Sequence, residues 1–161
     1  MPSKADPRIL GPDLAPTPFT ADEIRTGCPA GRTIRIRIQL DGHVPTTVIN
    51  RFIDPDDEGA TLESQDLGAD GLSVAPMTRT RVTWAELQAH AAFPIDRTSI
   101  ATAVLETPLG TLDCLRYTVT VVDGARTFWF AKSLPGMPIR YVTEEGGRIV
   151  SEVTVVENGV P

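Results

Sequence analysis

The sequence predicts a mainly β protein: a curved antiparallel meander of about nine strands, forming an open or partly closed barrel, with one short helix between the fourth and fifth strands. Three stretches carry that expectation. From Thr33 to Leu40, Ile34, Ile36, Ile38 and Leu40 alternate with Arg35, Arg37 and Gln39, the period-two pattern of a half-buried antiparallel strand. Between Gly110 and Ala131, two runs rich in β-branched and aromatic residues meet at Asp123-Gly124. Asp-Gly is the strongest short-range hairpin signal, because both central residues of a type I′ turn need positive φ. Finally, Thr83-Trp84-Ala85-Glu86 is a capping box that opens a helix from Trp84 to about Ala91, ahead of Pro94.

Taken in order, the chain begins with prolines at 2, 7, 12, 16 and 18, which keep that segment out of helix and interior strand. It reads as an extended arm, either disordered or laid along a surface. Thr20-Ala21-Asp22-Glu23 is a further capping box, whose helix Gly27 and Pro29 hold to about one turn. The box at Thr83 reads as the better of the two, since Val82 and Leu87 fall where a hydrophobic staple packs. Residues 1–30 are therefore a proline-rich arm with a short helical turn, and residues 31–161 a single antiparallel β domain.

Within that domain Asp41-Gly42 turns the first strand into Pro45–Asp54, and Asp56-Asp57-Glu58-Gly59 turns into Ala60–Leu67. Gly68-Ala69-Asp70-Gly71 leads into Leu72–Val82, the fourth strand. After the helix come Thr98–Thr107, the Gly110–Val122 and Ala125–Ala131 hairpin, and then Ile139–Thr143 and Arg148–Val156 across Glu144-Glu145-Gly146-Gly147. Phe128, Trp129 and Phe130 make one strand apolar on both faces, which places the hairpin in the middle of the sheet.

A chain of 161 residues with 41% hydrophobic and 22% charged residues has the composition of an ordinary globular protein. The net charge of −6, with arginines scattered singly, argues against nucleic acid and against an anionic membrane surface as partners. No stretch is long and apolar enough for a membrane span, and none at the start as written has the length of a signal-peptide core; the expected location is cytoplasmic. In that compartment Cys28 and Cys114 are expected as free thiols.

Catalytic and metal constellations are absent from this reading, and no cofactor is expected. His43 follows a turn, and His90 sits at a helix end where a cation suits the dipole. Cys114 is the one nucleophile with charged neighbours: Arg116 shares its strand face and Asp113 points the other way. A buried structural thiol is the simpler reading. Asp54-Pro55-Asp56-Asp57-Glu58-Gly59 opens like a calcium loop, but its twelfth position is Gln65, so an acidic β-turn is expected.

Three segments, Thr83–Pro94, Thr107–Tyr117 and Trp129–Pro138, resemble small uncharacterised bacterial proteins whose sheets are similar to the half-barrel of the periplasmic lipoprotein carriers. The resemblance implies a curved antiparallel sheet with an apolar concavity and lipid-like ligands; it implies no activity. The residue reading agrees on binding, with Trp84, Tyr117, Phe128, Trp129, Phe130, Met137 and Tyr141 as the candidate ligand-binding set. Two functions are expected of such a sheet. One is a non-enzymatic protein holding a small apolar or amphipathic molecule or lipid on its concave face. The alternative is a structural module that forms homo-oligomers through its sheet edges or that face.

Overall fold

The computed structural model describes residues 5–160. Runs of β-branched residues broken by tight turns produce nine strands: β1 (Thr33–Leu40), β2 (Thr46–Ile53), β3 (Gly59–Leu67), β4 (Thr78–Thr83), β5 (Thr98–Thr107), β6 (Gly110–Val121), β7 (Gly124–Ala131), β8 (Arg140–Glu145) and β9 (Arg148–Gly159). They form one antiparallel sheet in the order β4-β3-β2-β1-β9-β8-β7-β6-β5. The fold is mainly β, an open, half-barrel-like meander with the short helix α2 (Trp84–Ala89) between the fourth and fifth strands. A second helix, α1 (Ala21–Gly27), precedes the sheet.

The meander is cut where α2 interrupts it. β4 and β5, consecutive in the chain, stand at opposite edges, and the two halves β1–β4 and β5–β9 are joined by pairing of the first strand with the last, Ile38 opposite Val153 and Ile36 opposite Val155. The β6–β7 hairpin therefore lies towards the β5 edge, and the middle of the sheet is β9, flanked by β1 and β8. Two apolar faces on β7 reflect what covers that strand, not its position in the sheet.

The hairpin turn also differs from the expected one. Val121 is opposite Gly124, so the loop residues are Val122 and Asp123, and of these Asp123 alone has positive φ, at 65°. Gly124 belongs to the strand for another reason: a Cβ there would lie 1.8 Å from the carbonyl oxygen of Glu144 on β8. Glycine is required by close approach of the neighbouring strand.

The two capping boxes rank in the reverse of the expected order. At α1 both halves form: the Thr20 hydroxyl accepts from the Glu23 amide (3.1 Å) and the Glu23 carboxylate accepts from the Thr20 amide (3.1 Å). At α2 the Thr83 hydroxyl accepts from the Glu86 amide (3.0 Å), with no reciprocal bond among the described residues. α1 accordingly runs for 7 residues rather than a single turn. β4 is shorter than expected because residues 72–77 pair only through an isolated bridge at Ser73.

Residues 5–18 are laid along the body. The Ala15 amide donates to the Phe93 carbonyl (2.9 Å), the Ile95 amide to the Asp13 carbonyl (2.9 Å), and the Tyr117 hydroxyl to the Pro16 carbonyl (2.6 Å). Residues 1–4 of the expected arm and residue 161 of the expected domain lie outside the described residues. The buried core lies between the helices and one face of the sheet and includes Phe19, Ile24, Ile34, Ile36, Phe52, Trp84, Tyr117, Phe130 and Val155.

Candidate functional site

Between the two helices and the sheet lies a cavity of about 200 Å³. Its floor is built by alternation: Ile34 on β1, Asn50 and Phe52 on β2, Leu62 on β3, and Phe128 and Phe130 on β7 all point to the helix-covered face. α1 and α2 supply the opposite wall, and the β7–β8 loop closes one side with Gly136, Met137 and Pro138.

The wall stays in place through a few specific ties. Trp84 is 2% exposed, stacks obliquely near Phe52 with ring centroids 6.5 Å apart, and donates from Nε1 to the Asp56 carbonyl (2.8 Å). Gln88, also buried, joins three segments: Oε1 accepts from the Ala21 amide at the start of α1 (3.0 Å), and Nε2 donates to the Pro7 carbonyl (2.9 Å) and to the Thr17 hydroxyl (3.0 Å).

Of the aromatic and Met set expected to bind, Phe128, Phe130 and Met137 line this cavity. Trp84 lies behind Phe52 as the anchor of α2. Tyr141 stacks on Phe128 at 5.0 Å with planes 5° apart, one layer removed. Tyr117 contacts Phe130 edge-on at 5.3 Å and holds the arm through its hydroxyl; burial pushes its pKa up to about 12. Trp129 points to the other face of the sheet, where the Arg140 guanidinium lies 5.1 Å from its ring.

The polar part of the cavity was not foreseen. Arg32 is 5% exposed and in its wall, with Nε donating to Asn158 Oδ1 (2.9 Å) and Nη1 to the carbonyls of Gly27 (2.9 Å) and Pro135 (2.7 Å) and to Cys28 Sγ (3.1 Å). Asn50 Oδ1 is buried with no hydrogen-bond partner. A signal for both existed in the alternation. Arg32 stands two residues before Ile34 and Asn50 two before Phe52, so each shares the face of an inward apolar neighbour.

The reactive groups weighed from sequence lie elsewhere or are held inert. Cys28 and Cys114 are free thiols, 1% and 0% exposed. Burial raises the pKa of each, outweighing Arg32 at Cys28, while at Cys114 the Asp113 carboxylate adds to the rise and Lys132 opposes it. Both thiols are therefore protonated at neutral pH. His43 contacts the Asp41 carbonyl in an exposed turn (2.9 Å), and His90 caps the end of α2 at the rim of the cavity. In the acidic turn Asp56 Oδ1 accepts from the amides of Gly59 and Glu58 (both 2.9 Å), and its second oxygen pairs with Arg81. Those amides, with Arg81 behind them, hold its carboxyl below the usual range. No cluster of three or more metal-ligating side chains occurs among the described residues, and no helix there is long and apolar enough to cross a membrane.

No protein-family model matches this chain, and no curated protein matches it. Among solved structures, one described as the crystal structure of MucB superposes with a TM-score of 0.60 at 9% sequence identity, covering 86% of this chain and 57% of MucB. The chain thus spans little more than half the length of that relative in fold. At this identity the likeness concerns architecture alone, and what it establishes is a fold related to that of MucB.

Proposed function

We propose that the protein is a non-enzymatic binding module that holds a small apolar or amphipathic molecule between its helices and its sheet. The observation that carries the reading is the cavity of about 200 Å³ with walls of Ile34, Phe52, Leu62, Phe128 and Phe130. An apolar cavity of about 150 Å³ admits benzene, whereas sites for drug-sized ligands run from about 300 Å³ upward. The fitting occupant is therefore a small molecule or one short chain, not a whole diacyl lipid. Protonation of both buried thiols supports a role without covalent chemistry.

Native mass spectrometry and solvent extraction of protein purified from its source test the reading. A bound small molecule of that size is expected. Protein that carries none, and that takes up neither benzene nor short alcohols when they are added, would refute it.

A second reading, self-association through a sheet edge, is favoured by the difference between the two edges. β4 carries Arg79, paired with Glu63 (2.9 Å), and Arg81, paired with Asp56, charges that discourage strand addition. β5 offers ten residues with no proline and a single charge, Glu106, and leaves Ile100 and Val104 41% and 67% exposed. A two-fold axis at Thr102, normal to the sheet, would set Ile100 opposite Val104 of a second copy and Glu106 opposite Thr98, avoiding any like-charge pair. Light scattering over a concentration series tests it, with Val104→Lys expected to abolish any dimer and a monomer throughout counting against it.

A further inference from the structure

We infer that the cavity takes a small organic monoanion, a carboxylate on a short apolar body, with its head group held by Arg32 and Asn50; this rests on the binding reading given above. Arg32 carries the one formal positive charge in the cavity wall, and no acidic side chain lines it among the described residues. Arg32 as a whole is 5% exposed, and its guanidinium takes part in no ion pair there; its acceptors are an amide oxygen, two carbonyls and a thiol. A charge withdrawn from water to that degree is costly without a counter-ion, and neutral acceptors compensate it only in part. Nε and Nη1 make all of those bonds, so Nη2, with two protons, is the nitrogen left for a ligand.

Asn50 provides the second point of attachment. On β2 it lies opposite Ile34, two residues from Arg32 on the same face, a diagonal neighbour at about 7–8 Å between Cα atoms. Its buried Oδ1 has no partner, and no hydrogen bond from Nδ2 occurs among the described residues. That oxygen is closed off even from the cavity, whereas Nδ2 is not buried in this way and is the donor left for a ligand. A carboxylate between Nη2 of Arg32 and Nδ2 of Asn50 then receives two donors, one of them charged. Phe128, Phe130 and Met137 flank the body of such a ligand, and the volume limits it to roughly six to eight heavy atoms on the scale set by benzene.

Calorimetric titration with pentanoate and hexanoate against pentanol and hexanol, at constant ionic strength, tests the inference. The acids are expected to bind at least about tenfold more tightly than the matching alcohols, the margin of a charge-assisted bond. Arg32→Gln removes the charge but also loosens the end of α1, so Asn50→Leu serves as the second variant: it relieves an orphaned polar atom and should fold. In Asn50→Leu, where the Arg32 donor remains, the preference for acid over alcohol should fall at least about threefold from its native value while alcohol binding persists. Equal binding of acids and alcohols to the native protein, or an unchanged preference in Asn50→Leu, would overturn the inference and leave a neutral apolar site. Absence of binding by every probe would overturn both readings together.

Discussion

Replacing Gln88 with methionine should destabilise the protein well beyond what one exposed-looking helix residue suggests. The side chain makes three hydrogen bonds, to the Ala21 amide, the Pro7 carbonyl and the Thr17 hydroxyl, and it is 5% exposed. Methionine nearly preserves length and volume, so the packing term is small and the polar term stands alone. At a net ~1 kcal/mol per bond the loss is about 3 kcal/mol. For a chain of this size, that corresponds to a fall in Tm of roughly 6–12 °C. Thermal unfolding followed by circular dichroism gives the global number. The local effect should show first in tryptic cleavage after Arg8, whose carbonyl accepts from the Thr17 amide (2.8 Å) and is freed when Thr17 loses its neighbour. A Tm change under about 2 °C with unaltered cleavage at Arg8 would mean that Gln88 does not hold arm and helices together.

Other perturbations probe single features. Gly124→Ala forces a Cβ into the Glu144 carbonyl oxygen, 1.8 Å away, and should cost at least about 2 kcal/mol in urea unfolding. Thr20→Ala and Thr83→Ala each remove one hydroxyl acceptor, from the Glu23 and Glu86 amides respectively, and each should cost about 1 kcal/mol in urea unfolding. Trp84→Ala should cost about 3–5 kcal/mol, and in a Trp129→Phe background the emission of Trp84 should be that of a buried indole. Tyr117 ionises at about 12 in the native state against about 10 unfolded, so it favours the folded form fully below pH 10 and that contribution is lost as pH rises through 12; Tyr117→Phe should flatten this limb of the stability profile.

The strands were legible because their signal is local. Thr98–Thr107 was read with its bounds as they stand, and Ile34 and Ile36 are buried as their alternation requires. Strand order is not local: nothing in Ile38 or Val153 names the other as its partner, so the β1–β9 seam and the two edges it creates could not be read. The turn at Val122–Asp123 misled for a related reason, since Gly124 answers to Glu144 of a neighbouring strand rather than to its own turn. At the cavity, the aromatic residues of β7 were singled out on bulk and hydrophobicity. For Arg32 and Asn50 the alternation gives the face of the sheet but not the burial, which depends on what the helices cover.

The pairing of first strand with last also sets a schedule for synthesis. While the chain is being made, β1 has β2 on one side and an open edge on the other until the final strand leaves the ribosome. Long-range pairing of this kind is slow, and an open edge in the interval can capture foreign strands. Arg35 and Arg37 on β1 supply the charge that deters such capture. When β9 arrives, the same margin becomes a lock: Arg35 meets Glu157 (3.7 Å), Arg32 meets Asn158, and Asp41 just beyond β1 receives Arg148. Arg35 thus serves twice, keeping strangers off the open edge and then recognising the ninth strand of its own sheet.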